Sequence, residues 1–262
     1  MKSKSRFSGV VSFLAAAAIV LAGFMPAKQV KAASDFTNVH FDNNTLWTNV
    51  DGTLCFKVGD TLHLSGQINN VSGTVSVNVN VKNSSGNSIR NINGTLSTST
   101  YHPKTVYIED STPIYNQLKT SSWGVGNYTI KITATNNGYP RSHTVKVYVY
   151  ASSVYTFVNR LYTEMGLSAT VSTKHSFASW LAMRTLTGKD AALYICNTTK
   201  YTDGEFVRRL YWAMLGRQYD QAGYDYWLNC LRCGAKRSDI IEGFANSAEF
   251  KNYCSRMGVV AK

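Results

Sequence analysis

The sequence predicts a chain of two folded parts, a β-sandwich followed by an all-α domain, and three observations carry that expectation. From Asp35 to about Ser152 the chain is rich in Val, Thr, Ser, Asn and Gly, and after Val154 it turns to Leu, Met, Ala, Arg and Tyr. Apolar residues recur at every second position in the first part and at helical spacing in the second. Two separated blocks of the second part also recur at one common offset, as an internal repeat does. Once a leader is set aside, roughly 230 residues remain, enough for two cores of ordinary size.

The leader comes first. "MKSKSRF" is basic, "GVVSFLAAAAIVLAGFM" is apolar, and "PAKQVKA" places Val30 and Ala32 before a cut. Residues 1–32 therefore read as a secretory signal peptide, because the apolar run is short for a membrane span. No transmembrane segment is expected after cleavage. The mature chain is expected in an oxidising exterior, secreted or held non-covalently at the cell surface. Residues 1–32 hold five of the 27 Lys/Arg, and the remaining 22 against 15 Asp/Glu leave a balance of +7. These cations form no tract, so nucleic acid is not an expected partner. Attraction to an anionic wall or glycan is the milder reading.

Residues 33–152 alternate. "TLHLSGQI" sets Leu62 and Leu64 on one face, "TVSVNVNVK" sets Val75, Val77, Val79 and Val81, and "NYTIKITATN" and "HTVKVYVY" continue the pattern. Such alternation marks strands with one face on a core and one in water. Turn signals at "NNVSG", "NSSGN", "WGVGN" and "TNNGYPRS" separate them, and about seven short strands at this spacing argue for a sandwich. The stretch "GVGNYTIKITATNN" with "HTVKVYVY" resembles the closing hairpin of bacterial immunoglobulin-like domains. That resemblance implies that Tyr128 turns the corner into the penultimate strand.

Residues 155–257 repeat. "FVNRLYTEM" (157–165) matches "FVRRLYWAM" (206–214), and "DAALYICNTTKY" (190–201) matches "DIIEGFANSAEF" (239–250), both at an offset of 49. Two degenerate helical units follow, about 155–201 and 202–257. In the second, Phe206, Val207, Leu210, Tyr211 and Met214 form an apolar helix face. Thr202 with Glu205, and Asn246 with Glu249, offer capping boxes. Asp220 is placed to cap a helix through "AGYDYWLNCLRC", which Gly234 then ends.

"LGRQYDQAGYDYWLNCL" followed by "SDIIEGFANSAEFKNYC" resembles domain of unknown function 4214, common in secreted proteins of Gram-positive gut bacteria. The residues that carry the resemblance are Gly216, Arg217, Asp220, Gly223, Tyr226 and Trp227, then Gly243, Phe244, Ser247, Glu249 and Phe250. The family is similar in helical character to phycobilisome linker modules. It brings no catalytic residue, and the resemblance implies that these positions are scaffold.

Cys196, Cys230, Cys233 and Cys254 lie in the helical part. A zinc knuckle does not suit a C-x-x-C in the last turn of a helix, and the helix dipole there disfavours a redox thiolate. In a secreted chain these residues read as disulfide candidates, with three connectivities open. The favoured pattern bonds Cys254 and Cys196 each to one of Cys230 and Cys233, and leaves Cys55 buried and alone. The five histidines read as scattered through strands and loops, and no metal-binding or nucleophile motif appears. No cofactor, metal or catalytic residue is therefore expected.

A binding face has better support. Trp212 stands where the first unit has Thr163, and Arg208 where it has Asn159, so both are expected outside the core stripe. Tyr219 and Tyr224 would extend that patch, and exposed Trp, Tyr and Arg favour contact sites. The function expected is non-enzymatic binding of a glycan or of a host or cell-envelope protein, including a host immune protein. The alternatives are a structural linker in a surface assembly and a hydrolase with an unrecognised site.

Overall fold

A computed structural model describes residues 35–41, 47–48 and 52–262. The leader expected over 1–32 lies outside the described residues. The first half is built of strands and the second of seven helices, as the composition change implies. Among the described residues no helix is long and apolar enough to cross a membrane.

The strands are β1 (Phe36–Phe41), β2 (Trp47–Thr48), β3 (Leu54–Lys57), β4 (Thr61–Leu62), β5 (Leu64–Asn69), β6 (Thr74–Asn83), β7 (Ser88–Ser97), β8 (Thr105–Ile108), β9 (Leu118–Lys119), β10 (Gly126–Asn136) and β11 (Tyr139–Tyr150). They form a six-stranded sheet in the order β2-β3-β11-β10-β6-β7, a three-stranded sheet β1-β5-β8 and the short pair β4-β9. The pairings are antiparallel except that of β3 with β11. One apolar cluster draws on both larger sheets, with Val75, Val77, Val79, Val81, Ile130 and Ile132 from one and Phe36, Ile68 and Val106 from the other. Tyr128 stands near the start of β10, and its hydroxyl donates to the carbonyl of Trp123 and, at 3.2 Å, to that of Gly124.

The helices are α1 (Ser152–Glu164), α2 (Val171–Ala182), α3 (Gly188–Cys196), α4 (Asp203–Leu210), α5 (Gln221–Arg232), α6 (Arg237–Asn246) and α7 (Ala248–Met257). A π-helical turn, Tyr211–Leu215, continues α4. Helices α4, α5 and α6 begin 51, 50 and 49 residues after α1, α2 and α3.

The first helix of each set reaches across to the other. Arg160 in α1 donates from Nε to the Trp212 carbonyl at 2.8 Å and lies over the Tyr253 ring at 4.1 Å. Arg209 in α4 donates to the Glu164 carbonyl at 2.9 Å and lies over Tyr201 at 4.5 Å. Each arginine also packs against a left-handed glycine just past the end of the other helix: Arg160 against Gly216 (φ 73°) and Arg209 against Gly166 (φ 62°). A side chain there would strain the backbone and press into the Arg160 guanidinium at Gly216 and the Tyr201 hydroxyl at Gly166.

Three expectations need correction. All five cysteines are free thiols. Leu231 is the residue of its turn that enters the core, so at ~100° per residue neither Cys230 nor Cys233 points inward. Cys233 is exposed and Cys230 half-buried, whereas Cys196 and Cys254 sit in the core. Burial raises both core thiols, Cys254 to about 12. Second, Ser247 and not Asn246 caps α7, accepting from the Phe250 amide at 3.1 Å. Third, Thr202 caps α4, but Glu205 turns to Arg208 and Arg209 instead of closing a box.

The two halves meet through polar side chains that periodicity does not show. His175 is not in a strand or loop but on α2, and it is buried. Its Nδ1 is hydrogen-bonded to the hydroxyl of fully buried Tyr150, the last residue of β11, and its ring lies 4.6 Å from that of Tyr155 on α1. Cys55 of β3 meets Met183, just past α2, at 3.4 Å between sulfurs. Burial lowers the His175 pKa; Asp60 partly opposes that shift, and Lys57 adds to it.

An imidazole held below its unfolded pKa of 6.5 binds its proton more readily in the unfolded chain. Its contribution to stability is therefore complete above about pH 6.5 and is lost as pH falls through the folded value. His143, half-buried, acts in the same direction. The unfolding temperature is expected to fall between pH 7 and pH 5, and His175→Gln is expected to flatten that slope. An unchanged slope in the variant would assign the acid sensitivity elsewhere.

Candidate functional site

The site is built on the turn where α4 becomes π-helical. Amphipathic spacing buries Phe206, Val207 and Leu210, and the wider turn keeps Tyr211, Ala213 and Met214 inward while Trp212 turns out. Trp212 is 43% exposed. The Arg160 hydrogen bond to its carbonyl fixes the turn that presents it. The π-turn closes the helix, and Gly216 beyond it is left-handed (φ 73°).

Arg208 is exposed as well, but it is paired with Glu205 at 2.9 Å. Tyr219 and Tyr224 come together, with ring centroids 4.7 Å apart, and Tyr219 also meets Tyr211 at 6.3 Å. Tyr224 lays its phenol over Gly204 at the start of α4, where a Cβ would lie 2.6 Å from the oxygen. The structure thus unites the two tyrosines and leaves both half-buried. Among the described residues no ring contact joins either of them to Trp212.

The same unit carries a polar and aromatic clasp. Arg217 forms a fork with Glu249, Nε to Oε1 at 2.7 Å and Nη2 to Oε2 at 3.1 Å, and also reaches Asp220 at 3.3 Å. Its guanidinium lies 5.1 Å from the Tyr211 ring. Two-pronged pairs of this kind fix geometry as well as charge. The bond to Glu249 raises the Arg217 pKa. Asp220 caps α5 by accepting from the Gly223 amide at 2.8 Å; that bond and Arg217 hold its carboxyl below the usual range. Gly223 lets the Tyr211 hydroxyl approach the backbone, and Gly243 does the same for the Trp227 ring. Trp227 lies tilted against buried Phe244, ring centroids 5.3 Å apart.

Ten of the eleven residues that carry the sequence resemblance therefore have a structural task. The exception is Tyr226, 60% exposed with its ring 4.8 Å from Trp227, edge to face. Motif reading takes it for scaffold, but its adjacency to Trp227 on a helix could have signalled an outward position, since consecutive helical residues diverge. Among the described residues, no three of His, Cys, Asp and Glu gather as metal ligands.

A helical module held by an arginine–glutamate clasp and glycine-seated aromatics is thus the class of unit that the second half defines. A family model described as a domain of unknown function (DUF4214) matches residues 192–254, a span similar to that family from α3 to α7. No curated protein matches the chain.

Proposed function

We propose that the chain is a secreted, non-enzymatic binding protein of the bacterial surface, with an immunoglobulin-like sandwich followed by two helical units. It recognises a glycan or a host or cell-envelope protein through the second unit. The observation that carries this reading is the exposed Trp212, held out on a π-turn that Arg160 braces. Arg208, the Tyr219–Tyr224 pair and Tyr226 supply further aromatic and cationic surface on the same unit. The Tyr128 corner and the core shared by two sheets support the immunoglobulin-like reading. The matching helix offsets and the exchanged arginines support the repeat.

The test is a screen of the protein against glycans, peptidoglycan and mucosal proteins, with Trp212→Ala beside it. Saturable binding is expected, weakened about tenfold or more in the variant, with thermal stability close to that of the parent. No saturable binding by the folded protein would overturn the reading. A large stability loss in Trp212→Ala would show a packing residue instead. The exchange between α1 and α4 favours a second reading, a structural part of an assembly, in which self-association without ligand replaces saturable binding.

A further inference from the structure

We propose that the open face of the six-stranded sheet, over β6, β7, β10 and β11, binds an acidic polysaccharide at a site separate from Trp212. The inward valines of β6 direct Ser76, Asn78, Asn80 and Lys82 outward. Strand register sets these against Thr95, Asn93 and Asn91 on β7, and against Thr135, Thr133, Lys131 and Thr129 on β10. Serine, threonine and lysine continue the rows on β11 as Ser142, Thr144 and Lys146. The result is a grid of amides and hydroxyls at the strand spacing of about 4.8 Å. An open hollow of about 480 Å³ lies on it, lined by Ser76, Asn78, Asn93, Thr95, Thr133 and Thr135.

The amides are held in place. Asn78 Nδ2 donates to Asn91 Oδ1 at 2.7 Å and to Asn93 Oδ1 at 2.8 Å, and Asn80 Nδ2 donates to Ser88 Oγ at 2.7 Å. Fixed amides cost less to order when a ligand arrives. The four strands contain no Asp or Glu. Lys82, Lys131 and Lys146 are exposed and, among the described residues, take part in no ion pair. Register places Lys82 and Lys146 on either side of Thr129, with Lys131 two residues further along β10. Cations without a counter-charge, beside hydroxyl and amide groups, complement a chain rich in hydroxyls and carboxylates.

Other ligand classes fit less well. The lining of the hollow includes no aromatic on which a nucleobase would stack, and no exposed aromatic or large apolar anchor of the kind that carries protein interfaces.

The test uses the full chain against polygalacturonate, with neutral dextran, single-stranded DNA and anionic lipid vesicles as comparisons. Saturable binding to polygalacturonate that weakens steeply with salt is expected, with none to dextran. Lys82→Gln with Lys131→Gln and Lys146→Gln is expected to weaken it at least tenfold. Asn78→Ala is expected to weaken it severalfold without changing the salt dependence, and Trp212→Ala to leave it intact. Equal binding to DNA or to the vesicles would reduce the face to unspecific charge and overturn the proposal. So would full binding by the lysine variant, or the absence of binding by the folded parent. A loss confined to Trp212→Ala would move acidic-glycan binding to the helical unit and also overturn it.

Discussion

Phe250→Ala is expected to lower the free energy of unfolding by about 3–5 kcal/mol, measured as a drop in denaturant midpoint at unchanged slope. Phe250 is fully buried in the first turn of α7, with its ring 6.2 Å from that of Phe157 on α1. Its other side faces Gly188 at the start of α3, where a Cβ would lie 3.3 Å from the ring and 2.8 Å from Cys254 Sγ. Truncation opens a void whose far wall has no side chain to move in, so little of the lost packing is recovered. The Ser247 cap is a backbone contact that alanine keeps. A loss below about 1 kcal/mol would mean that α1, α3 and α7 close over the gap. Trp212→Ala, on the surface of the same unit, is expected to cost far less.

Gly243→Ala is expected to destabilise by about 1–3 kcal/mol even though alanine is the better helix former by about 1 kcal/mol. A methyl at Gly243 would lie 2.9 Å from Cζ3 of Trp227, inside van der Waals contact. Trp227 contacts both Phe244 and Tyr226, so it yields only by disturbing those ring contacts. Trp227→Leu removes the obstructing ring. In the Trp227→Leu background Gly243→Ala is therefore expected to become neutral or stabilising, a coupling that a double-mutant cycle reads directly. Equal penalties in both backgrounds would place the strain elsewhere.

Periodicity made β6, β10 and β11 legible, because their inward positions are apolar over most of their length, Asn136 of β10 and Arg141 and His143 of β11 being the exceptions. Strand β7 was not legible in the same way. Its outward residues include Asn91, Asn93 and Thr95, and between Ile92 and Leu96 the inward position is Gly94, kept small where a Cβ would lie 2.9 Å from Ile114. A loop residue supplies that part of the core, and no local pattern reports it. The cysteines failed for a related reason. Compartment and count suggested bridges, but pairing depends on which way each thiol points, and Leu231 takes the inward position of its turn. Trp212 could be read from the sequence because a second copy of the helix shows which positions tolerate polarity. The His175–Tyr150 contact arises between a strand and a helix of different halves, so the residue string does not display it, and the exposure of Tyr226 was signalled only by its place beside Trp227.

The arginines exchanged between α1 and α4 bear on stoichiometry. Each helix lends a guanidinium to the other's final turn and receives one over its own closing glycine, so α1 and α4 brace one another reciprocally. The matched span, residues 192–254, contains Arg209 but not the Glu164 carbonyl that receives it. If α1 and α4 open two copies of one unit, as proposed, a lone unit would hold half of this exchange, and such units are expected to occur in even numbers, as a pair within one chain or as one in each of two associating chains.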